Sequence, residues 1–233
     1  MNIVVSGASK GIGRAVADEF ASQGFDVAVC ARDEKVLLEM EEQYARQFPA
    51  CRLLALRADL SRKDDTQAFA NAVLSEWGSV DVLVNNAGIF IPGAVHEEPD
   101  GQLEQMMEIN LYSAYRLTRA LLPSMLQKGR GHIFNMCSIA SLHAYPNGGS
   151  YGISKFALQG FSKNLREELK TKGIRVSSII PGATWTDSWA EAGFHPSRLM
   201  EARDIALSVW SAWSLSPSAV VEDIIIRPLL GDL

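Results

Sequence analysis

What most restricts the folding of this 233-residue chain is a strict alternation of two hydrophobic patterns. Short apolar, largely β-branched runs recur at Ile3–Val5, Val27–Cys30, Leu53–Leu56, Val80–Val84, His132–Met136, Val176–Ile180 and Val221–Ile226. They lack the alternate polar positions of a half-wet strand and so predict strands buried on both faces, as in a parallel sheet. Between them, Ile12–Ser22, Glu34–Gln47, Lys63–Trp77, Gln102–Gln127, Tyr151–Lys172 and Arg203–Ser214 carry apolar residues at three- and four-residue steps. That spacing predicts amphipathic helices. Asp33 and Ser61 stand where N-caps belong, and Gly24, Gly78, Gly129 and Gly173 where helices should end.

Seven strands alternating with six helices predict an α/β chain: a doubly wound, seven-stranded parallel sheet flanked by helices, of Rossmann type. No linker-like shift in composition divides it, so residues 1–233 read as one domain. A stretch of about 181–202 has no clear element, and loops of that length are usually functional. Hydrophobic residues at 47% and charged residues at 21% suit a packed core. A net charge of −5 argues against nucleic acid, which demands clustered cations. Cys30, Cys51 and Cys137 have no CxxC spacing and predict reduced, structural thiols. Met1–Val5 lead straight into a glycine loop, unlike a secretory leader, and apolar stretches fall short of a membrane span. A cytoplasmic protein is expected.

Two constellations carry chemistry. Gly7, Gly11 and Gly13 lie between the first strand and the first helix, as GxxxGxG. Such glycines permit a tight turn and a close approach of backbone to a pyrophosphate, which then faces the helix N-terminal amides. Tyr151 and Lys155 share one helix face, and Ser138, thirteen residues before Tyr151, ends the fifth strand. The histidines share no metal-binding spacing, so no metal is expected.

In order and in spacing these motifs resemble the short-chain dehydrogenase/reductase (SDR) family over essentially the whole chain. The family's TGxxxGxG stands here as Ser6-Gly7-Ala8-Ser9-Lys10-Gly11-Ile12-Gly13, with serine for threonine, and its NNAG as Asn85-Asn86-Ala87-Gly88. The helical asparagine matches Asn110, the serine Ser138, YxxxK Tyr151 and Lys155, and the Pro-Gly after the sixth strand Pro181-Gly182. The resemblance implies hydride transfer between a nicotinamide cofactor and a carbonyl or alcohol. Tyr151 would be general acid/base, Lys155 would favour its ionised form and hold the ribose, Ser138 would orient the carbonyl, and Asn110 would anchor a water leading to solvent. It further implies cofactor contacts at Gly7, Ser9, Lys10, Gly11, Ile12 and Gly13, then at Asp59, Leu60, Asn86, Ala87 and Gly88. Those around the nicotinamide fall at Tyr151, Lys155, Pro181, Gly182, Thr184 and Thr186. Cys137 reads as a buried small hydrophobe.

Which nicotinamide cofactor is read from the end of the second strand, where an acidic residue would select NAD. Ala31 stands there and Arg32 follows; Lys10 adds a second cation and Ser9 a hydroxyl, which predicts NADP(H). The leading reading is a carbonyl reductase. The alternatives are a 3-oxoacyl-(acyl-carrier-protein) reductase, with Arg116, Arg119, Lys128 and Arg130 as a carrier patch, and a non-catalytic NADP(H)-binding sensor. His143, Tyr145, Trp185 and Trp189, with Phe194 nearby, predict a pocket for an apolar or aromatic ketone. Leu111, Tyr115, Leu158 and Phe161 exceed what the sheet can cover; in proteins this chain resembles, such helices pair across a two-fold axis, so a homodimer or homotetramer is expected.

Overall fold

The computed structural model describes residues 1–186 and 195–232. Seven parallel strands form one sheet in the order β3-β2-β1-β4-β5-β6-β7. They are β1 (Asn2–Ser6), β2 (Asp26–Ala31), β3 (Leu53–Arg57), β4 (Val82–Asn85), β5 (Gly131–Met136), β6 (Ile174–Pro181) and β7 (Asp223–Ile226). The predicted runs all become strands, and those inside the sheet feed both of its faces, whereas β7 at the edge packs one face with Ile224 and Ile226 and leaves Ile225 exposed. Ile3, Val5, Val27, Val29, Val82 and Val84 join one core with Phe20, Met40, Tyr44 and Val209. Val4, Ala28 and Leu83, one residue out of step, join the other with Phe69, Leu117 and Met125. Successive strand residues point to opposite faces, so a continuous apolar run needs a helical layer on each side.

Helices α1 (Gly11–Ser22), α2 (Glu34–Gln47) and α7 (Ala202–Trp213) cover the first face. The second is covered by α3 (Lys63–Trp77), α5 (Ser113–Lys128) and α6 (Gly149–Leu169). A short α4 (Gln102–Met107) precedes α5. Asp33 caps α2 as expected, accepting from Lys35 N at 2.9 Å. Ser61 does not cap α3. Arg62 holds that position without a side-chain bond, and the Ser61 hydroxyl instead donates to Asp59 Oδ1 at 2.8 Å. The long helix expected from Gln102 is broken by a π-helical turn over Glu108–Tyr112. This turn carries Asn110 inward, where its side chain is fully buried. Apolar periodicity is blind to such a register shift, and π-turns gather at functional sites.

Of the four apolar residues expected to exceed the sheet's coverage, Leu158 is in fact buried, Leu111 and Phe161 are half-buried and Tyr115 is exposed. Sequence order reverses between β1 and β4, whose carboxyl ends therefore open onto a crevice.

Candidate active site

The crevice is drawn together by one hydroxyl. Ser6, ending β1, accepts from Asn86 N at 2.9 Å and from Ala87 N at 3.0 Å. Asn86 reciprocates, its Nδ2 donating to Ser6 O at 3.1 Å and Gly7 O at 2.9 Å. This closeness explains two of the glycines. A Cβ on Gly7, which has φ +64°, would lie 2.8 Å from Ala87 Cα; one on Gly13 would lie 2.3 Å from Asn86 Nδ2 and 2.4 Å from Gly7 O. The loop thus stays flat at the start of α1, whose N-cap Lys10 makes no side-chain capping bond and whose first turn carries no acid. Amides at such a helix start suit a diphosphate. Arg32, exposed beyond β2, and Asp59 share the far end of the crevice, where Asp59 is held by Ser61 and lies in the field of Arg32 and Arg62. The Leu60 side chain is buried in the core, so only its backbone faces outward chemistry.

A cavity of about 700 Å³ continues from Ile12 and Asn86 past Gly88 to Ser138, Tyr151 and Lys155. Ser138 leaves β5 as the cap of a single 3-10 turn, Oγ accepting from Ala140 N at 3.2 Å. Tyr151 lies in the first turn of α6, where burial raises its pKa and a hydrogen bond with Ser138 works the other way. Lys155, one turn on, is buried; Nζ donates to Met136 O at 2.8 Å and stands 5.7 Å from the Tyr151 ring centroid. Burial pulls its pKa down to about 8.

Asn110 Oδ1 accepts from Ile89 N at 2.7 Å, and Nδ2 donates to Ile89 O at 3.0 Å and to Ser154 Oγ at 2.9 Å. Both Nδ2 protons are thus used within the protein, while Oδ1 keeps a second lone pair. A Cβ on Gly88 would lie 3.2 Å from Asn110 Oδ1 and 3.6 Å from Lys155 Nζ, so this glycine sits close to both side chains. Pro181, Gly182, Thr184 and Thr186 also line the cavity. Cys137 is buried and its thiol is pushed up to about 11, as suits a structural residue.

His143 and Tyr145 line the cavity, whereas Trp185 does not; it is half-buried, and its amide donates to Met200 O at 2.8 Å. Trp189 and Phe194 lie outside the described residues. Among the wall residues and supports that sequence reading missed are four with a specific contact or charge. Phe90 packs edge-to-face on Tyr151 at 4.8 Å. Glu98 closes the start of α6 from fifty-two residues away, accepting from Ser150 N at 2.8 Å and from Ser150 Oγ. Arg227 and Asp232 complete the wall beyond β7. No local pattern announces them, because each works across the fold.

A profile of the short chain dehydrogenase family matches residues 1–195, so the chain belongs to that family of oxidoreductases. It is 31% identical over 243 residues to a sepiapterin reductase of Chlorobaculum tepidum, covering 99% of this chain and 97% of that one. A metagenomic short-chain oxidoreductase solved with NADP superposes with a TM-score of 0.84 at 32% identity, covering 97% of this chain and 96% of that one. L-Sorbose reductase of Gluconobacter frateurii, solved with NADPH and L-sorbose, gives 0.90 at 27% identity, with 97% and 94% covered. Among the described residues no cluster of His, Cys, Asp and Glu can hold a metal, and no helix is long and apolar enough to cross a membrane.

The Ser6 junction can be tested directly. Ser6→Ala strands two backbone donors at once, so a loss of about 1–3 kcal/mol is expected in urea unfolding. A midpoint equal to wild type would show that the hydroxyl does not hold β1 to β4.

Proposed function

We propose that this enzyme is an NADP(H)-dependent reductase of carbonyl compounds, with Tyr151 as general acid. The observation that carries the reading is that Ser138, Tyr151 and Lys155 line one cavity together with the Pro181–Gly182 segment. NADP(H) fits the flat glycine loop and the uncapped start of α1, with Lys155 and Thr186 toward its other end. When bound it supplies hydride to the carbonyl carbon. Ser138 orients the carbonyl oxygen, on which negative charge develops, and Tyr151 delivers the proton from its phenol. At neutral pH burial keeps Tyr151 protonated, while Lys155, with its pKa near 8, remains largely an ammonium. As the proton leaves Tyr151, that ammonium stabilises the phenolate left in a poorly solvated site.

The carrier-protein alternative loses ground because two of its four cations are engaged: Lys128 Nζ lies 2.5 Å from Asp81 and Arg116 is paired with Glu108. Nothing in the Ser138–Tyr151–Lys155 set is broken, as a sensor without turnover would allow. Tyr151→Phe keeps the ring and removes the proton, so turnover should fall at least a hundredfold with NADPH binding near normal. Turnover within threefold of wild type would remove Tyr151 from the mechanism.

A closed homo-oligomer is part of this reading. Ile153 and Phe156 on α6 are 45% and 46% exposed, and Tyr112 and Tyr115 on the neighbouring turn and α5 are exposed too. Two copies related by a two-fold axis would bury these faces against each other. Light scattering at micromolar concentration should give twice or four times the chain mass; a single chain mass would refute the assembly.

Preference for NADP(H) follows from charge. Ala31 offers no carboxylate at the end of β2, Arg32 follows it, and Arg57, in register with Ala31, donates to Arg32 O at 3.3 Å. Neighbouring structures that hold NADP or NADPH support the same choice. Asp33 is occupied in capping its own helix. NADPH should exceed NADH at least tenfold in kcat/KM, equivalent to about 1.4 kcal/mol. Ala31→Asp combined with Arg32→Ile should reverse the order, and equal efficiency with both cofactors in the wild type would overturn the assignment.

A further inference from the structure

The residue just before Tyr151 has its polar groups held from another part of the chain. Ser150 is buried, at 1% exposure, and stands in the first turn of α6, where a backbone N–H has no partner within the helix. Glu98 supplies both acceptors: Oε1 takes Ser150 N at 2.8 Å, and Oε2 takes the Ser150 hydroxyl. The fit leaves no slack. A Cβ on Gly149, which has φ +32°, would run into Glu98 Oε1 and Gly93 O, and one on Gly93 would lie 2.8 Å from Glu98 Cγ. Glu98 is itself set by a turn, its amide donating to Ala94 O at 3.0 Å. On the other side of Tyr151, Ser154 Oγ donates to Tyr151 O at 2.8 Å and accepts from Asn110 Nδ2 at 2.9 Å. Tyr151 therefore stands between two polar clamps, one at Ser150 and one at its own carbonyl.

The end of a helix is where it frays, and a long side chain magnifies any tilt of the backbone that carries it. Without Glu98, a buried amide and a buried hydroxyl would lose their acceptors together, and the first turn would shift until they found others. We infer that Glu98 is a positioning residue of the reaction: by accepting from both groups of Ser150, it holds the Tyr151 phenol where it meets Ser138 and Lys155. This rests on the reduction at Tyr151 proposed above and adds to it a residue that does not line the cavity. Displacing a reacting group by about 1 Å costs on the order of a hundredfold in rate. A displaced phenol also loses the hydrogen bond with Ser138 that favours its ionised form, while the burial that disfavours it remains. Loss of Glu98 should therefore slow the chemical step and move the ionisation of Tyr151 to higher pH. A cap that only stabilised the helix would lower the folded fraction and leave the ionisation where it is.

The test uses the full chain and the fastest member of a panel of acetophenone, butanone and benzaldehyde. Its single-turnover reduction by NADPH is measured, and the oxidation of its alcohol by NADP+ is followed across pH. Glu98→Ala should slow reduction at least fivefold, with the NADPH dissociation constant, read by nicotinamide fluorescence, within twofold of wild type. The rise of alcohol oxidation with pH, which follows formation of the phenolate, should move up by at least half a pH unit. Glu98→Gln keeps an acceptor for Ser150 N and can donate to the Ser150 hydroxyl, so it should be at least threefold faster than the alanine variant. If Glu98→Ala does not fold, Glu98→Asp, one methylene too short for both bonds, should give the same shift of the profile. A rate loss below fivefold, a profile shifted by less than half a unit, or a glutamine variant less than threefold faster than alanine overturns the inference. Failure of the underlying mechanism looks different: no panel member would turn over in wild type, or Tyr151→Phe would stay active.

Discussion

Everything at the site depends on how tightly β1 is drawn to the turn after β4. At this point of the sheet the chain changes direction of winding, and two loops leave adjacent strands toward opposite faces. Left alone they would splay. The Ser6 hydroxyl takes two amides of the Asn86–Ala87 turn, and Asn86 Nδ2 returns two bonds to the glycine loop. The resulting contact leaves no space for side chains at Gly7 or Gly13. The glycines are thus needed both to let a phosphate approach and to let the protein approach itself.

From that junction the proposed catalytic groups are placed by buried polar links between elements. Asn85 Nδ2 donates to Thr118 Oγ1 at 2.9 Å and to Asn135 Oδ1 at 2.8 Å, and Asn135 reaches Ser162 on α6 at 2.8 Å. Asn110 couples the π-turn to Ile89 and to Ser154. In the interior such bonds are directional and costly to break, so they fix α5 and α6 against the central strands more exactingly than apolar packing does. The fixed helix then carries Tyr151 and Lys155.

Much of this was legible in the chain. The sheet followed from runs such as Val82–Val84, which have no wet face to offer, and the Ser138, Tyr151 and Lys155 set was picked out by its spacing together with its resemblance to the family's motifs. The rest was illegible for physical reasons. The π-turn changes register without changing composition, so Gln102–Gln127 reads as one helix. Ser61 has the chemistry of a cap, but Asp59 competes for its hydroxyl. Trp185 has the bulk of a pocket wall, yet backbone pairing with Met200 draws it away from the cavity. Glu98, Arg227 and Asp232 act on partners distant in sequence, where no local pattern can point.

Glu98 shows what such distant partners accomplish. The residue before α6, Gly148, makes no capping bond, although the first turn of this helix holds Tyr151. The missing cap comes from the loop after β4. Gly93 N donates to Asn147 O at 3.1 Å, and Asn147 takes a left-handed conformation with φ 60°. Glu98 then accepts from Ser150, and these bonds hold its carboxyl below the ordinary carboxylate range. A depressed folded-state pKa means that this contribution is complete at neutral pH and lost only on acidification through that lowered value. At neutral pH the start of α6 is therefore anchored by a carboxylate on the Phe90 loop. Phe90 packs on Tyr151 from the same loop. A single segment between β4 and α4 thus fixes the backbone of Tyr151, the proposed proton donor, with one residue and its ring with another, and anything that shifts this segment shifts both together.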